Sequence, residues 1–233
     1  MSKHQIERKA PDSYPVPKNI PKPPKFRTIV ADPPWSKNQG GNFGAINHYS
    51  LMSLGRIKDM PVAELADENA HLWLWVTNGN IDEGLEVIKA WGFTYRSMFL
   101  WIKPRMGLGT YLRNSSEVCL FATRGKAPVM FKGQMNWALM PVTRVHSEKP
   151  REMISIIERV SPGPYCELFC RKRPASSERW WVWGNEVGAS EYQKAGADFF
   201  IPGYPVPKYS FDSPDGTDNT EETDNANNTD DNR

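Results

Sequence analysis

The chain is short of the features that mark several large protein classes. It holds three cysteines, Cys119, Cys166 and Cys170, an odd and sparse set. Cys166 and Cys170 lie around an apolar, strand-like stretch without a second ligand pair nearby, so buried thiols are expected there rather than a metal centre. No apolar run approaches the roughly 18–20 residues of a membrane span. The amino end, Met1-Ser2-Lys3-His4-Gln5, has no apolar signal core, and a cytoplasmic protein is the expectation. No glycine-rich turn follows the first strand-like stretch, which argues against a dinucleotide enzyme. There is no internal repeat, and no histidine or Ser/Asp pairing forms a nucleophile arrangement.

Little net charge is present, yet the small total hides an asymmetry. The chain is +2 overall. Residues 212–233 hold eight acids and one base, a net −7, which leaves +9 on residues 1–211. A basic body suggests a polyanionic partner. The composition divides the chain into a Pro/Lys-rich arm (1–24), one domain (25–203) and an acidic tail (204–233) whose Asn, Asp and Thr cannot bury enough apolar surface to order themselves.

Between the two ends, strand and helix patterns alternate. Residues 26–31, 71–76, 93–103, 116–123 and 165–171 read as strands, and 180–183 as a short last one. Asn80 to Ala90 and Pro150 to Val160 carry apolar residues at helical spacing, the second stopped by Ser161-Pro162-Gly163. This alternation predicts an α/β sheet with helices on both faces. Residues 36–55, 105–116 and 126–141 fit no regular element, and long loops in a compact domain are often functional.

The most informative stretch is Asp32-Pro33-Pro34-Trp35, directly after the first strand. In open α/β sheets, ligands bind at the carboxyl ends of strands. Proline fixes φ and has no N–H to donate. The carboxylate and a proline carbonyl therefore form a rigid set of acceptors beside an aromatic face, suited to a planar group bearing an NH2. Asp32 and the Pro33 carbonyl would accept from an adenine amine, while Trp35 or Tyr49, and less directly Trp101 or Trp137, would stack the base. Arg105, Arg113, Arg124, Lys126, Lys132 and Arg144 surround the second loop region and are candidates to neutralise phosphates.

Further pieces stand in order: Leu74-Trp75-Val76-Thr77-Asn78-Gly79-Asn80, Trp101-Ile102-Lys103, Glu117 opening a strand, Ser147-Glu148-Lys149-Pro150, Ile157-Glu158-Arg159-Val160-Ser161-Pro162-Gly163, Glu167-Leu168-Phe169, and Trp183-Gly184-Asn185-Glu186. With the Asp-Pro-Pro-Trp motif, this ordered set resembles the MT-A-seventy family of S-adenosylmethionine-dependent adenine-N(6) methyltransferases over about residues 26–188. The resemblance implies a class I methyltransferase fold, a Rossmann-like, mostly parallel seven-stranded sheet. It implies S-adenosyl-L-methionine as methyl donor, no metal, and adenine in nucleic acid as acceptor, with DNA favoured over RNA. It also allows a catalytically weak nucleic-acid-binding subunit, and a homodimer or a heterodimer with a related subunit.

Carried over by residue, the resemblance places Asp32 between donor and adenine amine, with Pro33, Pro34 and Trp35 completing the catalytic motif. Lys149 would face the donor carboxylate, Glu167 and Leu168 the donor's nucleoside, and Arg171, Asn185 and Glu186 its ribose. Tyr49, Trp101, Lys103, Arg113 and Glu117 would lie on the acceptor side. Cys170, Glu148 and Glu186 depart from the writer-type pattern, which has Gly, His and Gln there, and the acceptor loops share little beyond Tyr49.

Overall fold

The computed structural model describes residues 22–36, 51–107, 109, 111–142, 148–174, 180–184, 198–199, 201 and 204. Seven strands form one sheet: β1 (Phe26–Ala31), β2 (Ala66–Val76), β3 (Thr94–Ile102), β4 (Ser116–Arg124), β5 (Trp137–Leu139), β6 (Tyr165–Leu168) and β7 (Trp180–Trp183), in the order β5-β3-β4-β2-β1-β6-β7. The pairs β1/β2, β1/β6, β6/β7 and β3/β5 are parallel; β4 runs antiparallel to both β2 and β3. The fold is thus the expected α/β class I methyltransferase type, mostly parallel with one reversed strand.

Strand β1 is central, and five of its six residues are buried. That is why its sequence is nearly continuous in apolar side chains instead of alternating. Side chains still alternate between two cores. Ile29 and Ala31 of β1 and Leu72 and Leu74 of β2 point to one face, where they meet Ile57 of α1 (Leu54–Lys58) and Val87 and Ile88 of α3 (Ile81–Ala90). Val30, Trp73 and Trp75 point to the other face and meet α4 (Glu152–Val160). Helix α4 buries Met153, Ile156, Ile157 and Val160, the i, i+3, i+4, i+7 stripe of an amphipathic helix. Helices therefore cover both faces. Gly84 lets α3 lie close on the sheet: a Cβ there would come within 2.6 Å of Val76 Cγ1 and 2.9 Å of Leu120 Cδ1.

Some elements were not legible in the sequence. Strand β5 lies in the segment expected as loop; three residues at a sheet edge carry too little pattern to reveal a strand. The short helices α1 and α2 (Val62–Leu65) were equally silent. Strand β2 begins five residues before the predicted start, through the polar Asp67-Glu68-Asn69. Strand β6 ends at Leu168 rather than Arg171, because Phe169 turns into the left-handed region at φ +62°. Among the described residues, no helix is long and apolar enough to cross a membrane. All but residues 22–24 and 204 of the predicted arm and tail lie outside the described residues.

Candidate active site at the carboxyl edge of the sheet

Asp32 is the first residue past β1, so it leaves the sheet at its carboxyl edge, between the ends of β2 and β6. Its N–H lies 3.5 Å from the Leu168 carbonyl. The next residues fold tightly. The Pro33 carbonyl accepts from Trp35 N–H at 2.9 Å, and the Pro34 carbonyl accepts from Met52 N–H at 2.8 Å. The proline carbonyls are therefore not the free acceptors the sequence suggested. Each is committed to one bond and keeps a second lone pair.

Trp35 is also corrected. Its ring is 4 % exposed, and its Nε1 donates to the Trp75 carbonyl at 3.0 Å, so it anchors the motif from beneath and offers no face for a base. Trp101 is 1 % exposed, with Nε1 donating to the Met140 carbonyl at 3.0 Å; it too is core. Trp137, by contrast, is 47 % exposed on edge strand β5.

A row of alternating charges crosses the edge. Lys149 Nζ lies 2.6 Å from Asp32 Oδ2 and 3.4 Å from Glu117 Oε2, and Glu117 Oε1 accepts from Lys103 Nζ at 2.5 Å. Asp32 comes from the end of β1, Lys103 from just past β3, and Lys149 from the segment before α4. Glu117 is the second residue of β4, and the reversed direction of that strand brings its first residues to the edge where the parallel strands finish. Under the two lysines lie the buried tryptophans. Lys149 Nζ is 5.4 Å from the Trp75 ring and Lys103 Nζ 4.6 Å from the Trp101 ring, and the rings meet edge to face at 6.3 Å. Each such contact contributes about 0.5–2 kcal/mol and fixes where the ammonium sits.

The row opens into a cleft lined by Asp32, Trp75, Lys149, Arg151, Glu167 and Arg171, among others. Glu167 sits beside Val30 in the β1/β6 register and therefore faces α4 and the cleft. Its Oε2 is buried and has no hydrogen-bond partner among the described residues. Burial pushes its carboxyl up to about 7, with only partial relief from the Cys170 thiol and Arg151. Asp32 is also raised, by burial first, although 30 % of its side chain reaches the cleft; Lys149 and Arg171 offset part of this and Glu117 adds to it. Glu117 behaves oppositely. Burial would raise it, but Lys149 and Lys103 together hold it below the usual carboxylate range.

Other predicted site residues fall in different places. Leu168 is fully buried in the core under α1 and α3, on the face of the sheet opposite Glu167, so it does not line the cleft. Arg113 is exposed on the β3–β4 hairpin. Arg124 donates to the Ala63 carbonyl at 2.6 Å and, with Lys126, lies at the far end of β4, some 25 Å from that hairpin. These two do not surround the loop; the sequence placed them near it only because the strand between was not yet oriented. Tyr49, Arg144, Asn185 and Glu186 lie outside the described residues. Trp75, which stands in one of the ordered motifs, is packing and cleft lining at once, and Arg151 and Phe169, not expected as site residues, also line the cleft. The alternation of Trp73 and Trp75 marked their common face; nothing local announced the left-handed turn at Phe169.

The donor set has a definite chemical character. An ammonium and a carboxylate held 2.6 Å apart present the complement of a zwitterionic amino-acid end, and the partnerless Glu167 oxygen awaits an O–H or N–H donor. The described residues contain no group of three or more His, Cys, Asp or Glu side chains placed to hold a metal ion.

Comparison with known proteins returns a family model described as MT-A70, matched over residues 26–186. The chain is 30 % identical over 172 residues to the N(6)-adenosine-methyltransferase MT-A70-like protein of Drosophila melanogaster, and 28 % identical over 172 residues to the human N(6)-adenosine-methyltransferase catalytic subunit METTL3. Both matches cover 70 % of this chain but only 27 % and 28 % of those longer proteins. It is 26 % identical over 185 residues to the type II methyltransferase M.MunI of a Mycoplasma species, covering 70 % of this chain and 78 % of that protein.

Proposed function

The chain belongs to the MT-A70 family, and we propose that it uses S-adenosylmethionine to methylate the exocyclic N6 amine of adenine in DNA. The observation that carries this reading is the Asp32–Lys149 pair, held at 2.6 Å at the carboxyl end of the central strand in a cleft that also contains the partnerless oxygen of Glu167. When bound, the donor supplies a methyl carbon on a sulfonium centre. Lys149 would hold its carboxylate and Asp32 would stand near its ammonium. Glu167 would accept from its nucleoside, and Arg171, Asn185 and Glu186 would contact its ribose.

On the acceptor side, the chemistry is a matter of freeing a lone pair. Adenine's amine is a poor nucleophile because its lone pair is delocalised into the ring. Asp32, together with the remaining lone pair of the Pro33 carbonyl, accepts the two N–H bonds and favours a pyramidal nitrogen. The nitrogen would take the methyl carbon as the carbon–sulfur bond breaks and its electron pair leaves on a neutral thioether, and one N–H proton would pass toward Asp32, whose raised pKa suits it to receive that proton. Lys103 and Glu117 set the field on this side, Arg113 lies on the hairpin that would meet the substrate, and Tyr49 would stack the base. Trp35 and Trp101 act through the scaffold.

DNA is favoured by the match to a type II methyltransferase over most of its length. A second reading, adenosine in RNA, is supported by the slightly higher identity to the eukaryotic N(6)-adenosine-methyltransferases. Methyl transfer from labelled donor to matched DNA and RNA oligonucleotides at fixed salt separates the two, with higher turnover expected on DNA. Calorimetry of the full chain with the donor tests the enzyme reading itself: absence of binding would indicate a non-catalytic subunit.

A further inference from the structure

The β3–β4 hairpin continues past the sheet edge. Lys103 N–H donates to the Ser115 carbonyl at 2.7 Å and Gly107 N–H to the Asn114 carbonyl at 2.6 Å, so the ladder extends beyond the charge row of the cleft. Asn78, from the turn after β2, braces it with a 2.9 Å bond to Asn114. The tip closes tightly: a Cβ on Gly109 would lie 1.9 Å from the Leu112 carbonyl, so only glycine permits this approach. The tip then presents what a soluble surface normally hides. Tyr111 is 97 % exposed, Leu112 82 % and Met106 75 %. Arg105 and Arg113 flank them, and no acid occurs between Lys103 and Ser116.

An apolar tip with cationic flanks and no acid, rooted beside the proposed acceptor site, complements a polyanion whose interior is apolar. We propose that this hairpin is the duplex-engaging element of the enzyme: Tyr111 and Leu112 enter the base stack and take the place of the extruded adenine, while Arg105 and Arg113 neutralise the adjoining phosphates. The assignment rests on the methyltransferase reading above and adds how the base reaches Asp32. A stacked, paired adenine must leave the helix before its amine can meet the cleft, at a cost of a few kcal/mol that falls when the base is unpaired. Apolar side chains inserted between base steps offset that cost by restoring contacts in the vacated space.

The test uses the full chain and its Tyr111→Ala/Leu112→Ala double variant on two duplexes of one sequence, one fully paired and one with the target adenine opposite an abasic site. The double variant should lose about tenfold or more in kcat/KM on the paired duplex and less than about threefold on the abasic-opposed one. Donor affinity by calorimetry should be unchanged, and Tyr111→Phe should restore activity. Arg113→Ala should lower the slope of log affinity against log salt by about one. Equal losses on both duplexes would overturn the wedge, as would wild-type activity confined to single strands. Dissociation of a dimer by the double variant in light scattering, with activity loss tracking it, would reassign the tip to a second copy of the chain. Failure of the wild type to bind donor or to methylate any adenine would defeat the parent reading instead.

Discussion

Two polar clusters sit on one face of the same strands, two to four residues apart, and they are built on opposite terms. Thr28, His71, Trp73 and Tyr165 belong to the inner cluster; Asp32, Trp75 and Glu167 belong to the edge. In the inner cluster every donor has its acceptor. His71 Nε2 donates to the Ala127 carbonyl at 2.8 Å, so Nδ1 accepts from the Ser161 hydroxyl at 2.8 Å. Trp73 Nε1 donates to the Ser161 Oγ at 2.9 Å, Tyr165 OH to the Ser161 carbonyl at 2.8 Å, and Thr28 Oγ1 to the Pro162 carbonyl at 2.6 Å. A Ser–His contact here resembles a nucleophile and its base, but both side chains are fully buried and no substrate reaches them. At the edge, one Glu167 oxygen has no partner among the described residues and the charges face a cleft. Satisfied polar groups secure a fold; unsatisfied ones beside a cleft are free to bind.

The contrast can be broken from either side. Asp32→Ala should lower methyl transfer by about 10³-fold or more while circular dichroism and melting stay near wild type, since the role proposed for Asp32 is chemical rather than structural. Lys149→Met should weaken donor binding by about tenfold or more in calorimetry, the loss expected for a charge-assisted bond. Ser161→Ala should do the reverse. It strips partners from His71 and Trp73 and should cost about 1–3 kcal/mol in denaturant melts, with donor affinity retained.

The clusters also titrate in opposite directions. Glu167 is raised from the ordinary glutamate range to about 7, so the native state holds its proton more tightly than the unfolded chain does. The associated stability is present below the unfolded value and is lost as pH rises from there through 7, by roughly 3 kcal/mol. Glu167→Gln should flatten that slope in melts between pH 5 and 8. A donor that hydrogen-bonds to Oε2 favours the ionised form, so its affinity should rise over the same interval. His71 is lowered by burial. Its contribution is present above its ordinary value of 6.5 and is lost as pH falls below it. The smallest effect expected is for Gly84→Ala, where a helix-propensity gain of about 1 kcal/mol opposes overpacking against Val76 and Leu120. A net loss of about 1 kcal/mol in chemical denaturation is expected.

Much of this protein was legible from its residues. Six strands and two helices followed from apolar runs and spacing, because burial on both sides of a central strand, or on one stripe of a helix, dictates composition directly. Asp32 announced itself because two prolines and an aromatic at a strand end have few other uses. Lys149, Glu117 and Lys103 were named by resemblance, and the sequence carried no sign that they form one row with Asp32. That row joins residues up to 117 positions apart, and it exists because β4 is reversed and inserted between β3 and β2. Pairing order depends on which apolar faces match across the whole chain, and no local pattern encodes it. For the same reason Trp35 and Trp101 read as stacking platforms until their rings were seen under the floor, and Leu168 as cleft lining until alternation turned it to the other core. The sequence by itself determined which chemistry the chain possesses. Tertiary structure decided which of those groups share a cleft, which are spent on the scaffold, and which oxygen is left without a partner.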